Sequence, residues 1–198
     1  MSYPDVPLIC LKTIKGKRGL LGRRGEFFNY VGLAESNLRG KVNSPQHAPQ
    51  PEGRPDGVDA AGRILVAFDS DNDRPCELGA HLKEWVIERD GAYAVSTCLA
   101  VVEYETWLVA GAEGFSDELV DPRVLSEMPD QIDEKRLKKK WLKDNLRSRT
   151  YSPTVDQKRL TNRFDIAKAR TRSRSFDRFC RVIEGWWIPL RHDVVGTP

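Results

Sequence analysis

Arg63-Ile64-Leu65-Val66-Ala67-Phe68-Asp69-Ser70-Asp71-Asn72-Asp73 joins an apolar run of strand length to an abrupt cluster of carboxylates. A strand covered on both faces loses the polar–apolar alternation of a half-exposed one, so this run predicts a fully buried central strand. The acidic residues then fall at its C-terminal edge, where open α/β sheets bind their ligands. Alternate residues of an extended chain share a face, which predicts that Asp69 and Asp71 converge. A hard cation such as Mg²⁺ or Mn²⁺ takes one or two such carboxylates, completed by waters and substrate phosphate. The D-x-D spacing also occurs in other phosphoryl-transfer folds, in glycosyltransferases and in plain acidic turns, so by itself it leaves a surface turn open.

Working downstream, Leu78, Leu82, Trp85 and Val86 recur at helical spacing over 76–90, with Gly91 as a stop. A second apolar stretch, 92–102, reads as the next strand and runs into Glu103-Tyr104-Glu105-Thr106-Trp107-Leu108-Val109-Ala110, the first turns of a helix. Two parallel neighbours bring their C-terminal ends together, so Glu103 and Glu105 are expected to approach Asp69 and Asp71. Four gathered carboxylates repel one another unless a cation neutralises them. The bland alternative is a glutamate at the helix start that caps it or pairs with an arginine. Three helical segments are expected beyond, over about 133–147, 154–170 and 175–187, with Pro153 and the Ser/Arg cluster 171–175 between them. Phe176, Phe179, Cys180, Ile183 and Trp187 recur every three or four residues and predict a packing stripe.

Upstream, residues 6–11 read as a short strand leading into the turn Lys15-Gly16-Lys17-Arg18-Gly19, and 26–39 as a helix. The Pro- and Gly-rich stretch 41–62 has no hydrophobic period and reads as a loop or insertion. The Gly16–Gly19 turn lacks the spacing of a phosphate-binding loop. Cys10, Cys76, Cys98 and Cys180 form no C-x-x-C pair, which speaks against a zinc knuckle or a disulfide framework. The three histidines, His47, His81 and His192, make no catalytic triad. No apolar run approaches the roughly 20 residues that span a bilayer, and the N-terminus lacks the order of a secretory signal. The expectation is a soluble cytoplasmic protein.

Charge is segregated along the chain. Residues 61–134 carry 5 basic and 17 acidic side chains, whereas residues 135–181 carry 17 basic and 4 acidic ones. An acidic middle beside a basic third suits a metal site next to a polyanion-binding surface, although the two parts could equally neutralise each other across a helix interface. Lys138, Lys139, Lys140 and Lys143, with Arg172 and Arg174, are the candidates for nucleic-acid backbone contact. Ser173 and Ser175 read as helix caps.

The run Ile64–Asp71, the stretch Val102–Leu108, Tyr151-Ser152-Pro153-Thr154-Val155-Asp156-Gln157, and Arg172-Ser173-Arg174-Ser175-Phe176 together resemble an uncharacterised bacterial family with a Toprim-like fold, often encoded beside an AAA-type ATPase. The resemblance covers about residues 60–180. It implies an α/β domain over 1–134, with a central mostly parallel sheet flanked by helices, and a basic helical C-terminal extension, 135–198, packed on it. It further implies a divalent-metal-dependent phosphodiesterase or nuclease-type subunit in a defence or DNA-maintenance system, using Mg²⁺ or Mn²⁺. Asp69 and Asp71 would take the D-x-D role, with Glu103 or Glu105 as the acid preceding the helix. Asp69, Asp71 and Glu105 are the expected metal ligands, all four carboxylates the expected catalytic set, and DNA rather than RNA the expected nucleic acid. Toprim-like proteins usually begin with a strand that ends in a catalytic Glu. No strand–Glu pattern precedes Asp69 here, and Glu35, the nearest candidate, sits in a predicted helix. The sequence therefore also fits a non-catalytic subunit that docks on an ATPase partner, with activity expected only when a partner or an upstream extension completes the site.

Overall fold

The computed structural model describes residues 24–42, 63–89, 91, 93–115, 119–135, 139–147 and 150–192, with side chains left aside at 40–42 and 186–192. The strand expected over 6–11, the turn at 15–19, almost all of the 41–62 loop, and Lys138 lie outside the described residues. The described chain is mixed α/β, mostly helical with a short parallel two-stranded sheet.

The decisive run forms β1 (Arg63–Asp69), which pairs in parallel with β2 (Ala94–Ala100), register running from Arg63↔Ala94 to Asp69↔Ala100. The connection between them is helix α2 (Pro75–Ile87), as a parallel pair requires a crossover. Pro75 stands in its first turn, where the missing N–H costs nothing. Leu78, Leu82 and Trp85 bury one stripe of α2. The helix ends at Ile87, before the glycine expected to stop it. On the same side, Phe27, Val31 and Ala34 of helix α1 (Arg24–Val42) join Ile64, Leu82 and Trp85 in one core, with the Phe27 ring 5.6 Å from that of Trp85. The expectation of a fully buried β1 fails: Arg63, Ala67 and Asp69 are exposed, and β1 pairs only with β2 among the described residues.

Beyond β2 the chain turns helical. Helix α3 (Tyr104–Ala110) is buried at all six positions from Glu105 to Ala110 and acts as a hub, because an element apolar around nearly its whole circumference must be covered on every side. A 3-10 turn (Ala112–Gly114) follows, then α4 (Pro122–Ser126), α5 (Ile132–Lys135), α6 (Lys139–Asn145), α7 (Pro153–Thr161), α8 (Ile166–Arg172) and α9 (Arg174–His192). The hub touches α5, α6, α7 and α8, while α9 packs on β2 and α8. The second core runs from Ala100 through Trp107, Leu142 and Leu160 to Phe176, so the segment after residue 134 shares its interior with α3. Phe176, Phe179 and Cys180 pack into it as their spacing predicts.

One expected helix needs correction. The segment 154–170 is two helices, not one. Asn162 ends α7, and Asp165 starts α8 by accepting the Lys168 N–H at 2.9 Å, while its own N–H reaches the Gly111 carbonyl at 2.8 Å. Gly114 permits this junction, since a Cβ there would collide with the Arg163 carbonyl oxygen. The segment 133–147 appears as α5 and α6, with 136–138 between them outside the described residues. Among the described residues no helix is long and apolar enough to cross a membrane.

Candidate functional site

At the C-terminal end of the parallel pair the ladder continues irregularly past β1. The Ser70 N–H donates to the Ala100 carbonyl at 2.9 Å, and the Asp71 N–H to the Val102 carbonyl at 2.7 Å. The buried Ser70 hydroxyl accepts the Val102 N–H at 2.8 Å. Asp71 (φ 47°) and Val102 (φ 68°) both lie in the left-handed region. Aspartate tolerates that conformation, but a β-branched valine there stores roughly 1–3 kcal/mol, so the surrounding bonds must hold it. This turn also alters the expected D-x-D geometry. Extended backbone ends at Asp69, so Asp71 leaves the strand instead of repeating its face.

Asp69 remains exposed, yet one of its oxygens accepts the Tyr104 N–H at 2.8 Å and thereby caps the first turn of α3, whose own N-cap residue Glu103 makes no side-chain cap. Its carboxyl is pushed up to about 6. Desolvation at the crowded rim is the largest cause, opposed by the Tyr104 N–H and reinforced by the charges of Glu105, Asp71 and Glu103. Asp69 therefore feels the charge of the other three expected carboxylates.

Their side chains differ in commitment. Glu103, half-buried, accepts the Lys139 N–H at 2.6 Å and so fastens the N-terminus of the lysine-bearing α6 to the sheet edge. Glu105 is buried and accepts the Tyr151 hydroxyl at 2.9 Å and the Gln157 amide at 3.2 Å. Burial and the Glu105 charge hold the Tyr151 phenol far above its usual range, which keeps it a donor. Asp69 and Asp71 remain the exposed pair. Among the described residues no group of three or more His, Cys, Asp or Glu is gathered closely enough to hold a metal ion. Glu35 lies within α1 in an ion pair with Arg89, and His81 is exposed on α2, 3.4 Å from Glu84.

The partners are residues to which the sequence assigned no role at the acidic site. Tyr151 and Gln157 hold Glu105, and the Tyr104 hydroxyl meets that of Thr161 at 2.6 Å. Asp133 receives the Ser173 hydroxyl at 2.8 Å and the Ser175 N–H at 2.9 Å, while Trp107 donates its indole N–H to Ser175 at 2.8 Å. Tyr151, Gln157, Ser173 and Ser175 stood in the motifs already singled out; Asp133 and Thr161 gave no signal.

The basic candidates separate in the same way. Arg172 is nearly covered and pairs with Glu113, and Lys140 pairs with Asp144 of its own helix at 2.6 Å. Lys139 is half-buried, while Lys143 and Arg174 are exposed. Arg172–Glu113 and Arg147–Asp121, the latter at 2.7 Å, neutralise part of the charge segregation inside the molecule.

Neither a curated protein nor a solved structure matches this sequence. A family model described as Domain of unknown function (DUF4276) matches residues 19–184, and the chain belongs to that family.

Proposed function

We propose that this chain is a Toprim-like, divalent-metal-dependent phosphodiesterase or nuclease-type subunit, acting on DNA rather than RNA and working with an AAA-type ATPase in a bacterial defence or DNA-maintenance system. The observation that carries the reading is Asp69: an exposed carboxyl at the C-terminal edge of a parallel pair, held up to about 6 by desolvation and by three neighbouring acids. Perturbed carboxylates in that position are typical of functional sites.

The donor set fits a water-rich Mg²⁺ or Mn²⁺ site, since such ions are commonly held through one or two carboxylates. Asp69, through its oxygen not used by Tyr104, and the exposed Asp71 would hold the cation. When bound, the ion would stabilise charge developing on a phosphodiester and lower the pKa of a bound water. The chain's own contribution is positional. Tyr104 orients Asp69, and Glu103 ties the lysine-rich α6 to the same edge, which sets positive charge beside the acidic rim. Glu105, held by Tyr151 and Gln157, adds its negative field from below.

A second reading, a non-catalytic subunit docking on its ATPase partner, is favoured by the internal bonds of Glu103 and Glu105, which commit two of the four expected catalytic carboxylates to the fold. Calorimetric titration with Mn²⁺ of the wild type and of Asp69→Ala/Asp71→Ala decides between them. Binding by the wild type alone supports the metal reading, and equal heats from both proteins defeat it. A Mn²⁺-dependent cleavage assay on plasmid DNA and on RNA then tests chemistry, with weak or no cleavage expected from this chain by itself.

A further inference from the structure

The basic third of the chain is not uniformly available to a ligand. Around the start of α9, Arg170 is held by Asp177 and Glu184, and Arg172 by Glu113. Arg174 and Arg178, by contrast, are exposed and have no carboxylate partner among the described residues. Together with Arg181 and Val182 they line an open groove of about 440 Å³. Positions 174, 178, 181 and 182 fall on one stripe of the helix, four, seven and eight residues along. Arg181 leans on Asp177 at 2.7 Å while staying mostly exposed, and Asp177 also holds Arg170 at 3.0 Å. The positive charge of Arg178 reaches Cys98 of β2, where it offsets part of the rise that burial imposes on that thiol. The groove lies on the exposed stripe of α9, away from Phe176, Phe179 and Cys180, which pack into the core.

We infer that this groove, and not the lysine face of α6, is the principal phosphate-binding track for a nucleic-acid strand. The inference rests on the nucleic-acid reading above and gives it a location. Three features support it. Guanidinium forks bind phosphate oxygens in pairs, which ammonium groups cannot match. The track from Arg174 to Arg181 is about 10 Å long at 1.5 Å per residue, the length of about three base-pair steps measured along the axis of B-form DNA. Two of its three arginines carry no internal ion pair, so binding a phosphate does not first break one. On α6, Lys140 already faces Asp144.

The test uses the full chain and a fluorescently labelled DNA duplex, with affinity followed by anisotropy across a salt series. Arg174→Ala/Arg178→Ala removes two exposed, unpaired side chains and is expected to fold as the wild type does, which circular dichroism checks. Each phosphate contact contributes about 0.9 to the slope of log affinity against log salt. The double variant should therefore lower the slope by about two and weaken binding at least tenfold at low salt. Lys140→Ala/Lys143→Ala should change both much less. A wild type that binds DNA with a slope unaltered by the arginine changes overturns the groove and leaves the nucleic-acid reading intact. A wild type that binds no DNA overturns both. Arginine-dependent binding to polyglutamate, with DNA affinity unchanged, also overturns the proposal and identifies the groove as a seat for an acidic protein.

Discussion

In the helical half, Asp133 accepts hydrogen bonds from Ser173 and Ser175, some forty residues along the chain, and Asp156 accepts the Ser152 N–H at the start of its own helix, whereas Asp69 and Asp71, at the sheet edge, face solvent. Asp156 is fully buried, receives the Ser152 N–H at 2.8 Å and lies 3.2 Å from Arg159. Asp69 makes one bond within the fold and carries a raised pKa. The contrast teaches how to separate two uses of one side chain. A carboxylate whose oxygens are satisfied internally lowers the energy of the fold, while one held near its neighbours without enough donors raises it and is available for an external cation.

The largest test of this contrast is Asp156→Ala. It leaves Arg159 and the Ser152 N–H without their buried partner, and the expected loss is about 3 kcal/mol in urea unfolding. Asp156→Asn, which keeps an acceptor for Ser152, should recover part of it. Next comes Asp133→Ala, which removes the acceptor of the Ser175 N–H in the first turn of α9 and the seat of Ser173, whose hydroxyl caps that helix by accepting the Phe176 N–H, for an expected cost of about 1.5 kcal/mol. If neither change costs more than a surface substitution, the helical carboxylates are not holding the fold and the comparison breaks.

Asp69 should behave in the opposite sense. Its folded pKa of about 6 exceeds the ordinary 3.8, so its contribution to stability is fully present below the lower value and is lost as pH rises through the upper one. Asp69→Asn removes that loss, so melting temperatures of variant minus wild type should rise between pH 3.8 and about 6. A difference that stays flat across the window would show that the carboxyl is not under pressure. Adding Mn²⁺ at neutral pH should stabilise the wild type and leave the Asn variant unchanged. The smallest effect is expected from Lys140→Ala, since both partners of its pair with Asp144 are largely exposed, and a change within about 0.5 kcal/mol would mark the baseline for surface charge.

Local signals made β1, α2, β2 and the start of α3 legible, because an unbroken apolar run and a 3.6-residue stripe are properties of neighbouring residues. The break at 162–165 was not, since it depends on the Gly111 carbonyl accepting the Asp165 N–H across about fifty residues of chain. The half-exposure of β1 likewise reflects which elements pack on it, which an apolar run does not encode. At the site, the acidic positions could be named from the D-x-D and the second Glu pair. The sequestration of Glu105 could not, because its donors lie 46 and 52 residues away. Arg172 and Arg174 are two residues apart and look alike in the sequence, yet only the fold turns one toward Glu113 and leaves the other exposed.

The left-handed Val102 has one further consequence. Its N–H is tied to Ser70, its carbonyl to Asp71, and two residues on the Tyr104 N–H is tied to Asp69. The acidic turn and the start of α3 are thus laced together by three bonds, and neither can loosen alone. The expected outcome is one cooperative opening unit, in which hydrogen exchange at the amides of Asp71, Val102 and Tyr104 proceeds through a shared event. Anything that grips Asp69 and Asp71 closes that event, and the slowed exchange would appear at Tyr104, on the far side of the lacing.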